Sequence, residues 1–116
     1  MEQPDLELKG LSQFYGTMEY HNVLGVSVTD GVKYLMENGY SWLVTDAIAV
    51  MKFDAKLKKE PFLSVKLKQT AENEADLIIE DGNGNILYRQ HYDFTDAKKD
   101  LSLFYTDNVL MLNNEY

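Results

Sequence analysis

Few side chains in this sequence have the chemistry for catalysis or metal binding, and their spacing decides what they can do. There are two histidines, His21 and His91, and no cysteine. Without Cys there is no thiol nucleophile, disulfide, Cys-ligated zinc or iron–sulfur cluster. Glu19-x-His21 and His91-x-Asp93 each put two metal-ligating side chains on one face of a strand, because strand side chains alternate. A mononuclear site needs both pairs to converge, and no HExxH or comparable spacing supports one. His91 is therefore expected on a solvated face between Arg89 and Asp93. Asp46 stands in the first turns of an otherwise apolar helix. Apolar surroundings raise a carboxyl pKa and suit it to acid or base work. The competing reading is a carboxylate held by the positive helix N-terminus or by neighbouring backbone. Asp46, His21 and His91 are the catalytic candidates, and neither metal nor cofactor is expected.

Other reactive groups lack a frame. Ser12, Ser27, Ser41, Ser64 and Ser102 sit in no G-x-S-x-G elbow and no S-x-x-K pattern. Neither a G-x-x-x-x-G-K-[ST] loop nor a G-x-G-x-x-G follows a strand, so nucleotide phosphates have no recognised cradle. Asp81-Gly82-Asn83-Gly84-Asn85 begins like a calcium loop, but Ile86 stands where that loop needs Gly and Tyr92 where it needs a bidentate Glu. It is expected to be a turn. Aromatic rings are the other resource. Phe14, Tyr15, Tyr20, Tyr34, Tyr40 and Trp42 crowd the first 42 residues. Tyr and Trp suit half-wet interfaces, so Tyr15, Tyr20 and Trp42 are the candidate interaction face, for a protein partner or a homodimer. The alternative is that these rings close the core and its rim.

These groups must be positioned by a chain of 116 residues with net charge −8, 45% hydrophobic and 26% charged. That composition belongs to a globular domain, and a chain this long buries roughly 65% of its unfolded surface. One domain over residues 1–116 is expected. Residues 1–10 are polar and acidic, unlike a secretory signal, and no stretch approaches the roughly 18 apolar residues that span a bilayer. A cytoplasmic protein with no membrane association is the expectation. The charge is uneven: residues 1–55 carry net −5, residues 56–70 net +4 and residues 71–116 net −7. An acidic surface repels phosphates, so direct nucleic-acid binding is not expected. Lys56, Lys58, Lys59, Lys66 and Lys68 could form a local basic face, although alternating Lys on a strand's solvent face is the commoner arrangement.

The pattern predicts the positioning elements. Gly10–Gly16 reads as one helical turn, and Met18–Val28 as a bent or bulged strand interrupted at Gly25. Thr29 or Asp30 caps a helix with Val32, Leu35 and Met36 on one face, stopped at Asn38-Gly39. A second helix starts after Ser41 and is the most buried in the protein. Its Leu43, Val44, Ala47, Ile48, Val50 and Met51 leave a polar strip of only Thr45, Ala49 and Lys52, and it can run on to Lys59 before Pro61. The period then falls to 2. Leu63, Val65 and Leu67 alternate with polar residues, and Leu77–Glu80 and Ile86–Phe94 flank the Asn-Gly turn. Centring that turn on Asn83-Gly84 puts Leu77 and Ile79 on one face with Ile86, Tyr88, Tyr92 and Phe94. Arg89, His91 and Asp93 take the other face. Leu101–Tyr105 and Val109–Leu112 make a last hairpin. The expected architecture is α+β, an antiparallel sheet of about five strands with two helices packed on one face.

Several segments taken in order resemble a known family. They are Phe14-Tyr15-Gly16-Thr17, Thr29-Asp30-Gly31-Val32-Lys33-Tyr34-Leu35 and Trp42-Leu43 through Asp46-Ala47-Ile48-Ala49, then Glu80-Asp81-Gly82-Asn83-Gly84, Phe94-Thr95-Asp96, Val109-Leu110-Met111-Leu112 and Glu115-Tyr116. Together they resemble a family of small bacterial proteins, met also in cyanobacteria, plasmids and phages, whose shared domain has no assigned function. The resemblance implies a bacterial, cytoplasmic, stand-alone domain and transfers no activity or catalytic residue. The lysines at Lys56–Lys59 depart from it.

Three function classes remain. The first is a non-enzymatic interaction or self-associating module, and it expects an exposed apolar patch near Tyr15, Tyr20 and Trp42. The second is a small hydrolase-like enzyme, which needs at least two of Asp46, His21 and His91, or one with Tyr20, within hydrogen-bonding reach in a concave pocket. The third is an acidic mimic of nucleic acid that occupies a basic site on another protein, with carboxylates along one ridge.

Overall fold

The computed structural model describes residues 19–95, 97 and 100–116, so the helical turn expected at Gly10–Gly16 lies outside the described residues. Residues 21–28 form a hairpin where one bent strand was expected. Strands β1 (His21–Val23) and β2 (Val26–Val28) pair antiparallel, and Leu24 and Gly25 make the turn at φ +53° and +87°. Gly25 reverses the chain instead of bulging it, because two successive left-handed residues close a tight hairpin.

Helix α1 (Asp30–Leu35) follows at once. Thr29 is its cap: its backbone is extended and its hydroxyl oxygen accepts the Val32 N–H at 3.4 Å. Residues Met36–Tyr40 widen into a π-type turn in which Asn38 and Gly39 leave helical geometry, Gly39 at φ +101°. Helix α2 (Ser41–Phe53) then buries Leu43, Val44, Ala47, Ile48 and Met51. It stops short of Lys59. The Asp54 N–H closes the last turn on the Val50 carbonyl at 2.9 Å, and the Asp54 carboxylate accepts the Lys56 N–H at 2.8 Å, starting a separate turn, α3 (Ala55–Lys58). A side chain that bonds its own backbone two residues on restarts a helix instead of extending one.

Strands β3 (Phe62–Ala71), β4 (Glu74–Asp81), β5 (Ile86–Tyr92), β6 (Leu101–Thr106) and β7 (Val109–Leu112) complete the fold. The class is α+β, but the sheet has seven strands, not five, and is mixed, not antiparallel, in the order β1-β2-β7-β6-β3-β4-β5. Strand β6 returns to pair with β3 (Val65↔Leu103), and β7 runs parallel to β2 (Val28↔Leu110). Period 2 tells which face a residue occupies and is silent on which strand lies beside it. That is why the strands are where the pattern puts them and their neighbours are not.

One sheet face carries Val26, Val28, Leu110, Leu103, Leu63, Val65, Leu67, Leu77, Ile79 and Ala75. They form one core with Val32, Leu35, Leu43, Val44, Ala47, Ile48, Met51 and Leu57 of the three helices. The β4–β5 register pairs Ile79 with Tyr88 and Leu77 with Gln90, and it puts Arg89 and His91 opposite Ile78 and Asp76 on the other face, as the Asn83-Gly84 centring requires. A bulge between Ile79 and Glu80 disturbs the turn end. Ile86 pairs with Glu80 and is exposed, while Leu87 packs on the core, so Ile86 leaves the face expected for it. Phe94 lies beyond the end of β5 and is also exposed.

The end of the described chain locks onto the start of α1. A 3-10 turn (Asn113–Glu115) presents the Glu115 carboxylate to three donors. They are the Thr29 hydroxyl at 2.5 Å, the Gly31 N–H at 3.1 Å and the Leu112 N–H at 2.9 Å. A Cβ on Gly31 would lie 2.5 Å from Leu112 Cδ1 and 2.7 Å from Glu115 Oε1, so a side chain there must push aside the leucine and the carboxyl group that makes the joint. Glu115→Ala leaves the buried Thr29 hydroxyl and the Gly31 N–H without their acceptor and is expected to cost about 1.5–3 kcal/mol. Gly31→Ala is expected to cost about 1–3 kcal/mol through overpacking. Urea unfolding reads both as lower midpoints at unchanged m, and an unchanged midpoint contradicts the lock.

Candidate functional site

Trp42 and Asp46 are one helical turn apart on the flank of α2, so their side chains stack along that flank. Tyr92, the last residue of β5, lies opposite Ala75 in the register, and the small alanine leaves room above it for the tyrosine ring. The Tyr92 hydroxyl donates to Asp46 Oδ2 at 2.8 Å. Trp42 meets the Tyr92 ring edge to face, with centroids 5.0 Å apart and planes at 75°, and Tyr40 backs Trp42 at 6.2 Å. After Tyr92 the chain is anchored by the Thr95 N–H, which donates to the Asn73 carbonyl at 2.8 Å. Trp42, Asp46, Tyr92, Phe94 and Thr95 together line an open hollow of about 340 Å³, with Phe94 79% exposed at its rim.

The electrostatics of this hollow are one-sided. Burial, and then the Asp46 carboxylate that its hydroxyl faces, push the Tyr92 pKa far above the ordinary tyrosine value. Tyr92 is thus a fixed donor and no base at any physiological pH. It occupies one oxygen of Asp46 and orients the group. The hollow therefore offers a negative charge among aromatic rings.

The other two candidates are elsewhere. His21 Nε2 donates to Asp30 Oδ1 at 2.9 Å, both partly buried, beside a separate hollow of about 330 Å³. Ser41 lines that hollow but makes no hydrogen bond with His21. His91 stands on the outer face of β5. Its Nδ1 meets Asp76 Oδ1 at 2.6 Å, and its Nε2 meets Glu74 at 3.2 Å and Asp93 at 3.4 Å. The three carboxylates grip the two ring nitrogens, and among the described residues no three His, Asp or Glu side chains are grouped for a metal ion. No hydrogen bond or ion pair joins any two of Asp46, His21 and His91. Of the candidate interaction face, Tyr20 is exposed just before β1 and Trp42 packs against β5. These strands are the two opposite edges of the sheet, and Tyr15 lies outside the described residues.

Two residues that sequence reasoning missed are central to the hollow. Tyr92 had a legible signal, its placement on the helix-facing side of β5, but nothing tied it to Asp46, 46 positions away. Phe94 was assigned to the core face because alternation was carried past the end of the strand. The Asp81 loop is the turn expected of it: its carboxylate accepts the Asn83 and Asn85 N–H groups at 2.8 and 3.0 Å and the Asn85 side chain at 2.9 Å. The Asn85 side-chain bond first, and then its backbone bond, hold the Asp81 pKa below the ordinary carboxylate value.

Residues 5–116 match the family described as Family of unknown function (DUF6876). No curated protein and no solved structure matches the chain. Among the described residues, no helix is long and apolar enough to cross a membrane.

The His91 cluster makes a pH prediction. Its bond to Asp76 above all, then the charges of Asp76 and Asp93 and the bond to Glu74, outweigh desolvation and raise the His91 pKa above its ordinary value of 6.5. A raised histidine contributes stability that is fully present below the unfolded pKa and is lost as pH rises through the folded one. His91→Gln should therefore destabilise the protein more at mildly acidic than at mildly alkaline pH, read from paired urea midpoints. Proton NMR of His91 should show a midpoint above 6.5. A midpoint at or below that value contradicts the cluster.

Proposed function

The chain belongs to the family of unknown function DUF6876, and we propose that it is a non-enzymatic protein-interaction module, a single domain over residues 1–116, that receives a basic side chain of its partner in the hollow of Trp42, Asp46, Tyr92 and Phe94. The observation that carries this reading is a carboxylate oriented by a tyrosine hydroxyl inside an open aromatic hollow. A guanidinium or ammonium group gains there from the ring faces and from a charge-assisted bond to the Asp46 oxygen that Tyr92 does not occupy. A planar guanidinium also stacks on aromatic rings, which favours arginine. The net charge of −8 adds a long-range preference for basic partners.

The hydrolase-like alternative draws less support, since Asp46, His21 and His91 line no common hollow. The Asp46 partner is also a tyrosine that stays protonated, a poor companion for proton transfer. The nucleic-acid mimic needs free carboxylates along a ridge. The outer-face carboxylates Glu80 and Asp76 are instead engaged by Lys66 and by His91.

Trp42 is the one tryptophan in the chain, so its emission reports on this hollow directly. Titration with a capped pentapeptide carrying one central arginine should shift that emission saturably, and the citrulline counterpart should not. Asp46→Asn is expected to weaken binding roughly tenfold, and Phe94→Ala several-fold, with His21→Ala unchanged. Equal response to both peptides, or an indifferent Asp46→Asn, contradicts the proposal.

A further inference from the structure

Leu24 breaks two local rules at once. It holds φ +53° at the tip of the β1–β2 hairpin, a conformation that Asn or Gly adopts at less cost, and it exposes 61% of its surface there. The hairpin needs the left-handed backbone but not an exposed apolar side chain on it, and that combination points to a contact outside the chain. Its neighbour in space is the last turn of α2. Lys52 Nζ donates to the Leu24 carbonyl at 3.0 Å, and a Cβ added at Gly25 would lie 2.6 Å from the same nitrogen. Phe53, next to Lys52, is 85% exposed, the most of any large apolar side chain among the described residues. Lys56, Lys58 and Lys59 follow, all exposed, and none forms an ion pair among the described residues, whereas Lys66 meets Glu80 at 3.1 Å. Between residues 52 and 60 the four lysines Lys52, Lys56, Lys58 and Lys59 outnumber the interleaved Asp54 and Glu60, so a local positive excess stands beside the two protruding apolar tips.

We propose that this end of the molecule docks on the surface of an anionic lipid bilayer, with Leu24 and Phe53 entering the acyl boundary and Lys52, Lys56, Lys58 and Lys59 among the headgroups. Separate protruding tips suit a fluid interface, which closes around each, better than a protein groove, which needs a continuous apolar face. A nucleic acid could stack on Phe53 but gains nothing from an aliphatic tip. Screening over about 8 Å at physiological ionic strength confines the membrane's attraction to this local cluster, where the lysines outnumber Asp54 and Glu60, and acids farther away oppose it weakly. The contact lies on the bilayer and does not cross it. Such a contact departs from the expectation of no membrane association, which rested on the lack of a spanning segment and does not bear on surface docking.

Co-sedimentation with extruded vesicles tests this, using phosphatidylcholine alone and phosphatidylcholine with roughly 30% phosphatidylserine. The intact chain should pellet with the anionic vesicles at low salt, stay in solution with the neutral ones, and be released by high salt. Each lysine near an anionic leaflet contributes roughly fivefold to partition, so replacing Lys56, Lys58 and Lys59 together by Ser should lower it on the order of 100-fold. Leu24→Asn and Phe53→Ser should each lower it roughly tenfold. Asn suits the left-handed turn and Phe53 is almost wholly exposed, so neither variant should lose its urea midpoint, and loss of binding then belongs to the contact. The proposal is overturned if the chain ignores anionic vesicles at low salt, binds neutral ones equally, or keeps its partition in both apolar variants. It is equally overturned if a single-stranded oligonucleotide binds while vesicles do not.

Discussion

The carboxylate of Glu115 accepts hydrogen bonds from Thr29, Gly31 and Leu112, and through them the end of β7 fixes where α1 begins. Around it, β2 and β7 run parallel, with the Ser27 N–H on the Asn108 carbonyl at 3.0 Å and the Thr29 N–H on the Leu110 carbonyl at 3.2 Å. A parallel pair cannot be joined by a tight turn, so the intervening residues must supply the crossover. Here they supply the three helices and strands β3 to β6. Closing this pair therefore carries a loop-closure cost that local hairpins avoid. A buried threonine, a glycine whose added Cβ would crowd Leu112 and Glu115, and a carboxyl group accepting three hydrogen bonds together make the joint specific in direction and register.

That joint sets the frame for the hollow. Once α1 leaves Thr29 in a fixed direction, the left-handed Gly39 turns the chain into α2, whose apolar side covers the sheet. Trp42 and Asp46, on the flank of α2, then fall above Tyr92 at the far edge of β5. No buried side-chain polar atom among the described residues lacks a hydrogen-bond partner, so the few polar groups drawn inward are all engaged. Charge is managed the same way on the outer face, where Asp76 serves both His91 and Arg89. The second oxygen of Asp46, which makes no hydrogen bond among the described residues, stands out against that background.

The parts of the fold legible in the sequence are those set within about ten residues. Thr29 capping α1, the buried face of α2, the alternation of Leu63, Val65 and Leu67, and the faces of β4 and β5 all follow from local periodicity and turn chemistry. Where a single polar side chain redirects the backbone, periodicity misleads, as when Asp54 splits the helix expected to reach Lys59. The bulge that exposes Ile86 is the same kind of event in a strand. Long-range pairings left no local trace: β6 on β3, β7 on β2 and Tyr92 on Asp46 depend on which free edge or gap remains once the rest has formed. The candidate site was legible to the same extent. Asp46 and Trp42 were singled out by type and position, but their partners come from a strand whose place in the sheet no local pattern encodes.

Native-state hydrogen exchange tests the central claim, that the Glu115 joint belongs to one cooperative unit with the sheet core. The account predicts that the Ser27 and Thr29 amides exchange only through global unfolding, with the same free energy and denaturant dependence as the amides of the central strand β3. Exchange of Ser27 and Thr29 through a lower-energy local opening, with β3 still protected, would contradict it. The N-terminal hairpin and α1 would then be an appendage, not the frame on which the hollow is built.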